Sequence, residues 1–147
     1  MKLQKNTSLA LYSVLESAAD PTRHISAAEI AQKYGVSPHH LAKVLSGLAR
    51  DGLLESVRGV GGGYRFVGNP HRLTLMDVIQ IFESPGLPDN GAQEPGESTP
   101  VGRGLTAVLS EIDQHAKATF SSISLATMLR LVEREQHRAA PQKLRRR

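Results

Sequence analysis

Four glycines in five positions, Gly59, Gly61, Gly62 and Gly63, separate two short runs, Leu53-Leu54-Glu55-Ser56-Val57 and Tyr64-Arg65-Phe66-Val67. Such a stretch is a poor helix or strand interior, because glycine loses more chain entropy on ordering than other residues and has no side chain to pack. It suits a tight, exposed turn between two antiparallel strands, with a backbone that can come close to another surface. What precedes it narrows the fold further. Ser37 is a good N-cap, and Pro38 sits at the first helical position, where its missing N–H does no harm. Leu41, Val44, Leu45 and Leu48 supply that helix with an inward stripe, and Gly52 ends it. Upstream, Ser26-Ala27-Ala28-Glu29 spells a capping box, and Gly35 is a left-handed terminator after Tyr34. Two helices around a glycine turn, then a glycine loop bearing Arg58, predict a helix-turn-helix followed by a wing. A plain hairpin turn is the competing reading of the glycines.

The remaining chain is read by spacing. A first helix is expected from about Thr7 to Ala19, stopped by Asp20-Pro21. Thr74 caps another that runs through Glu83. Between Ser84 and Gly104 lie Pro85, Pro88, Pro95 and Pro100 with five glycines, a composition that predicts a flexible connector. Leu105, Val108, Leu109 and Ile112 resume helical spacing to about Phe120, and Ser124 caps a last helix carrying Leu125, Met128, Leu129 and Val132. The expected fold class is mainly α with a small β-wing. It divides into a winged helix-turn-helix domain (1–83), the connector (84–104), a dimerisation helix with a C-terminal helix (105–137) and a basic tail (138–147).

Composition removes several classes of function. The chain has no cysteine, which excludes disulfides, cysteine nucleophiles and thiolate metal sites. No stretch approaches the roughly 18 apolar residues of a membrane span, and no signal-peptide run follows Lys2, so a cytoplasmic protein is expected. No phosphate loop, no paired acid and base, and no metal-binding spacing appears, so no enzyme and no cofactor is expected. The formal charge is +4, with nine Lys/Arg against five Asp/Glu from Met1 to Arg72. Positive charge concentrated on one module is what a nucleic-acid-binding head carries.

These residues together resemble the Rrf-two family of bacterial regulators. The resemblance is carried by Met1-Lys2-Leu3 leading into the first helix, Glu29-Ile30-Ala31, Val36-Ser37 with Leu41, and Gly52-Leu53-Leu54. It is carried above all by Ser56-Val57-Arg58-Gly59 with Gly61-Gly62-Gly63-Tyr64. It implies a homodimeric winged-helix repressor or activator acting on a palindromic operator in double-stranded DNA. The implied dimer forms where the helix from about Leu105 to Phe120 crosses its symmetry mate, and the apolar stripe Leu105, Val108, Leu109 and Ile112 fits that role. Folding of this helix back onto its own domain is the alternative. Sensing members of the family carry three cluster-ligating cysteines in the connector. Ala92, Ser98 and Gly104 stand at those positions here, so no iron–sulfur cluster is expected. The signal is left open between a small molecule and a protein partner, such as the partner enzyme that controls cluster-free members of the family. A protein-interaction module is the competing class.

If the head reads DNA, the helix opening at Ser37 lies in the major groove, with Ser37, His39, His40 and Lys43 nearest the bases and phosphates. Arg58, with Gly61 and Gly62 allowing close approach, is expected in the neighbouring minor groove, where narrow segments attract arginine. An ion pair between Arg58 and Glu55 is the competing role. Lys2, Lys5, Thr7 and Arg65 are expected as phosphate contacts that position the protein without specifying sequence.

Overall fold

The structure is a computed structural model and describes residues 2–83 and 95–140. The elements in chain order are α1 (Lys5–Ala19), α2 (Ala27–Tyr34), α3 (Pro38–Arg50), β1 (Leu54–Val57), β2 (Gly63–Phe66), α4 (Leu75–Phe82), α5 (Pro100–Ser122) and α6 (Leu125–Ala139). The helix-turn-helix is α2 and α3, and the wing is the hairpin β1–β2.

Local chemistry explains each boundary. α2 opens on the expected capping box: the Glu29 N–H donates to the Ser26 hydroxyl and the Ser26 N–H to the Glu29 carboxylate, both at 3.1 Å. It closes at Gly35, whose φ of 65° lets its N–H reach the Ala31 carbonyl. A side chain in that left-handed geometry costs about 1–2 kcal/mol, which is why glycine serves there. Ser37 caps α3 by accepting from the His40 N–H at 3.4 Å. Thr74 caps α4 as expected and is answered by Asp77, whose carboxylate accepts from the Thr74 N–H at 2.8 Å, the reciprocal pair that Thr-x-x-Asp spacing permits.

The hairpin is antiparallel, with Leu54 opposite Phe66, Glu55 opposite Arg65, Ser56 opposite Tyr64 and Val57 opposite Gly63. A third extended residue joins it, unforeseen from the sequence. Ile25, just before α2, exchanges both backbone bonds with Tyr64 at 2.8 Å each. One residue has no periodicity to detect, so no pattern announces it. The bridge ties the wing to the start of the helix-turn-helix.

The core lies where α1, α3 and α4 meet. Val14 of α1, Leu41, Leu45 and Leu48 of α3, and Val78 and Ile79 of α4 are fully buried. Each such side chain contributes about 1.5–3 kcal/mol over its exposed state. The ring of Phe82 lies against the backbone of Gly47, 3.3 Å from where a Cβ there would stand. α6 begins inside this core: Leu125 is fully buried, its N–H donates to the Leu73 carbonyl at 2.8 Å, and Thr74 bridges Ser124.

α5 behaves differently. None of its 23 residues is buried, and at about 1.5 Å per residue the helix is about 34 Å long. Its C-terminal end is fastened to the head, where the Leu75 N–H donates to the Ile123 carbonyl at 2.9 Å and Phe120 packs on the core. The helix starts at Pro100 rather than at about Leu105. Pro100 stands at its first position and Thr99 caps it, accepting from the Gly102 N–H at 3.1 Å. Proline and glycine that read as connector thus belong to a helix start, a role proline fills as well as it fills loops. Similarly, α1 begins at Lys5 rather than Thr7, and α6 continues to Ala139.

Candidate nucleic-acid interface

The outer face of α3 is built by elimination. Leu41, Val44, Leu45 and Leu48 turn inward, which leaves His39, Lys43, Ser46 and Arg50 as an exposed row along the opposite side. Ser46 and Arg50 were not singled out from the sequence. Their signal was present, because they stand one and two helical turns beyond Lys43. Ser37 is exposed at the N-cap, with its hydroxyl occupied by the helix. His40 is half-buried, and its Nε2 is buried without a hydrogen-bond partner among the described residues. His39 and His40 therefore occupy different environments on adjacent positions.

The wing separates two arginines. The Arg65 guanidinium donates to the Glu55 carboxylate directly across the hairpin at 2.6 Å. Glu55 is thus engaged by Arg65, and the pairing of Arg58 with Glu55 is not what the structure shows. Arg58 is exposed and, among the described residues, makes no ion pair. The glycines beside it are not equivalent. Gly61 is exposed with φ of 76° and open space around it, so only its backbone angle demands glycine. A Cβ on Gly62 would stand 2.3 Å from the Val57 carbonyl oxygen, so Gly62 is required by the turn itself. The Gly62 N–H closes that turn onto the Gly59 carbonyl at 3.0 Å. Val60, at the tip, is fully exposed.

At the start of the chain Lys2 and Lys5 are exposed. Thr7 is not available as a phosphate contact. It is fully buried, and its hydroxyl donates to the Glu83 carboxylate, which also accepts from the Gln4 N–H at 2.9 Å. A carboxylate at a helix N-terminus satisfies free N–H groups and complements the helix dipole. Glu83, at the end of α4, thereby holds the start of α1. A contact between residues this far apart in sequence leaves no local trace in the pattern.

The expected dimer stripe lies on α5. Leu105, Val108 and Ile112 are 59%, 55% and 58% exposed, and Leu109 is half-buried. Val101, at 82% exposed, extends the row by a further turn. The spacing from Val101 through Leu105 and Val108 to Ile112 alternates four and three residues, the repeat that lets two helices pack side by side.

The positions matched to cluster ligands lie near the start of the same helix. Ala92 falls outside the described residues. The Ser98 carbonyl accepts from the Arg103 guanidinium, and Gly104 is inside α5. A Cβ on Gly102 would come within 2.0 Å of the Gly96 carbonyl, so this turn is closed on itself. With no cysteine in the chain, the donors present do not fit a thiolate-held iron–sulfur cluster. No helix of the described residues is long and apolar enough to cross a membrane.

Comparison with known proteins agrees with this architecture. The sequence pattern of the Rrf2 (Rrf-two) family, described as an iron-dependent transcriptional regulator, matches residues 3–131. The chain is 48% identical over 139 residues to BadM, named as an HTH-type transcriptional regulator of Rhodopseudomonas palustris, covering 94% of this chain and 87% of that one. Its fold is similar to CymR (YrzC), the global cysteine regulator of B. subtilis, with a TM-score of 0.71, 26% identity and coverage of 89% and 98%. It is also similar to T. potens IscR, with a TM-score of 0.74, 23% identity and coverage of 92% and 91%. The family and BadM are described as transcriptional regulators rather than enzymes, and BadM is named as one of the helix-turn-helix type. The chain belongs to the Rrf2 family of winged-helix, DNA-binding transcriptional regulators.

Proposed function

We propose that the protein acts as a homodimer on a palindromic operator, reading it with α3 and the wing, in the bacterial cytoplasm and without an iron–sulfur cluster. The observation that carries this reading is the division of labour between an exposed polar head and an exposed apolar arm. His39 and Lys43 on α3 and Arg58 on the wing stand exposed on one packed head. The α5 stripe Val101, Leu105, Val108 and Ile112 leaves the same head exposed, with nothing among the described residues covering it. A helix with a spare apolar face that is fixed at one end is completed by a second copy, and two-fold symmetry places two recognition helices on two half-sites. In this reading Ser37 and His40 contact phosphates at the N-terminus of α3. Lys2 and Lys5 contribute sequence-independent phosphate contacts, and Arg65 braces the wing through Glu55. Gly61 and Gly62 keep the tip thin enough for close approach.

With no cysteine in the chain, the signal comes from something other than a cluster. In this reading the effector is a small molecule or a partner protein. The test is a footprint on the DNA upstream of the protein's own gene, with unrelated competitor DNA present. The expected result is protection of two half-sites about one helical turn apart. No protected stretch, with a protein partner recovered by pull-down, would instead make the winged helix a protein-interaction module.

A further inference from the structure

The head is not the only basic part of this chain. Residues 130–147 hold seven Lys/Arg against two Asp/Glu, while the rest of the chain holds eleven against twelve. Residues 130–147 thus form a second basic segment, separated from the basic head by residues 73–129, which hold two Lys/Arg against seven Asp/Glu.

The described part of this segment has a definite geometry. Arg130, Arg134 and Arg138 recur every four residues, so they line one face of α6 with about 6 Å of rise between them. All three are exposed, as is nearly every residue from Arg130 to Ala140, so this half of the helix stands clear of the head. The ladder is little neutralised. Arg138 pairs with Glu135 at 3.1 Å with both side chains more than two-thirds exposed, an ion pair of small energetic weight. Arg130 donates only to the Thr127 hydroxyl at 3.3 Å, and Arg134 makes no ion pair among the described residues. The first turn of the same helix is anchored in the core by Leu125 and by the Ala126 N–H, which donates to the Pro70 carbonyl at 2.8 Å. The ladder is thus held rigidly relative to the head rather than trailing from it. The sequence then continues with Lys143, Arg145, Arg146 and Arg147.

We propose that the exposed arginine face of α6 is a second polyanion-binding surface, which takes the phosphate backbone of duplex DNA outside the sites read by α3 and the wing. Charge complementarity selects this occupant: duplex DNA presents about one negative charge per 1.7 Å of axis, so every arginine of the ladder has phosphates within reach. A surface of this kind reads no bases. It raises affinity for all sequences and steepens the dependence on salt. The inference shares with the proposed function only the choice of DNA as ligand.

The experiment titrates the full-length protein into a random-sequence 40-bp duplex by fluorescence anisotropy at several salt concentrations. Wild type is compared with the triple variants R130Q/R134Q/R138Q and R130K/R134K/R138K. Glutamine keeps helix propensity and removes charge, while lysine keeps the charge. The expected result is that the glutamine variant binds on the order of ten- to a hundredfold more weakly near 0.15 M salt. Its log–log salt slope becomes shallower by about 0.9 for each phosphate that is no longer neutralised, and the lysine variant restores both. Unchanged affinity and slope in the glutamine variant overturn the proposal and leave an acidic protein as the better-matched occupant. A lysine variant as weak as the glutamine one overturns it as well, because the weakening then does not follow charge. Because the duplex contains no operator, the operator reading can fail while this one stands. Wild type that binds no duplex sinks both.

Discussion

Arg58 and Arg65 flank the same glycine turn, yet one holds a carboxylate and the other holds nothing within the described chain. That difference separates their expected behaviour. Arg58→Ala is expected to leave the melting temperature unchanged and to weaken cognate binding by roughly 1–3 kcal/mol, about five- to 150-fold, with a smaller effect on random DNA. Equal weakening on both DNAs, measured by competition binding, would reduce Arg58 to a phosphate contact. Gly62→Ala is expected to act on folding instead, since a Cβ 2.3 Å from the Val57 carbonyl forces the turn open. Overpacking of this kind costs about 1–3 kcal/mol, readable as a lower denaturation midpoint. The sequence showed that these glycines make a wing. It did not show which of them the turn needs, because that depends on where a carbonyl points.

At the scale of elements, α1 and α2 are joined by a polar cluster rather than by apolar packing alone. The rings of Tyr12 and Tyr34 stack with centroids 4.8 Å apart, and the Tyr34 hydroxyl donates to the Glu16 carboxylate at 2.6 Å. Lys33 pairs with the same carboxylate. Burial pushes the Glu16 carboxyl up, but the hydrogen bonds from Lys33 and Tyr34 and the charges of Lys33 and Arg23 outweigh it, so Glu16 ends below its usual value of 4.5. Burial, helped by the bond to Glu16, raises the Tyr34 hydroxyl and keeps it protonated. A depressed carboxyl stabilises the fold above its unfolded value, and that contribution disappears as the pH falls through its folded value. Glu16→Gln is therefore expected to lose at most about 1 kcal/mol at neutral pH, since Lys33 is largely exposed. The gap to wild type, followed by urea denaturation, should close as the pH falls below the ordinary carboxylate range. Helix caps were the most legible elements, because Ser26 with Glu29, and Ser37 with Pro38, encode their geometry within four residues. Contacts across the chain were not legible. Glu83 holding Thr7, and Ile25 joining Tyr64, are set by packing between distant segments, and Thr7 was misjudged for that reason.

For the whole molecule, the arrangement turns on α5, which is fastened to the head at its C-terminal end and displays an apolar row along its length. Placing glutamate at Leu105 and Ile112 together is expected to yield a monomer by sedimentation velocity with unchanged helical content. Operator affinity should then drop by roughly a hundredfold or more, because the second half-site no longer adds to binding. A monomeric wild type with full operator affinity would remove the arm's role. The most direct test of the account is selection of bound duplexes from a random DNA library by the wild-type protein. The account predicts an enriched two-fold symmetric motif whose half-sites are about one helical turn apart, and blurring of that motif by Arg58→Ala. Enrichment of no motif, or of a lone half-site, would contradict it.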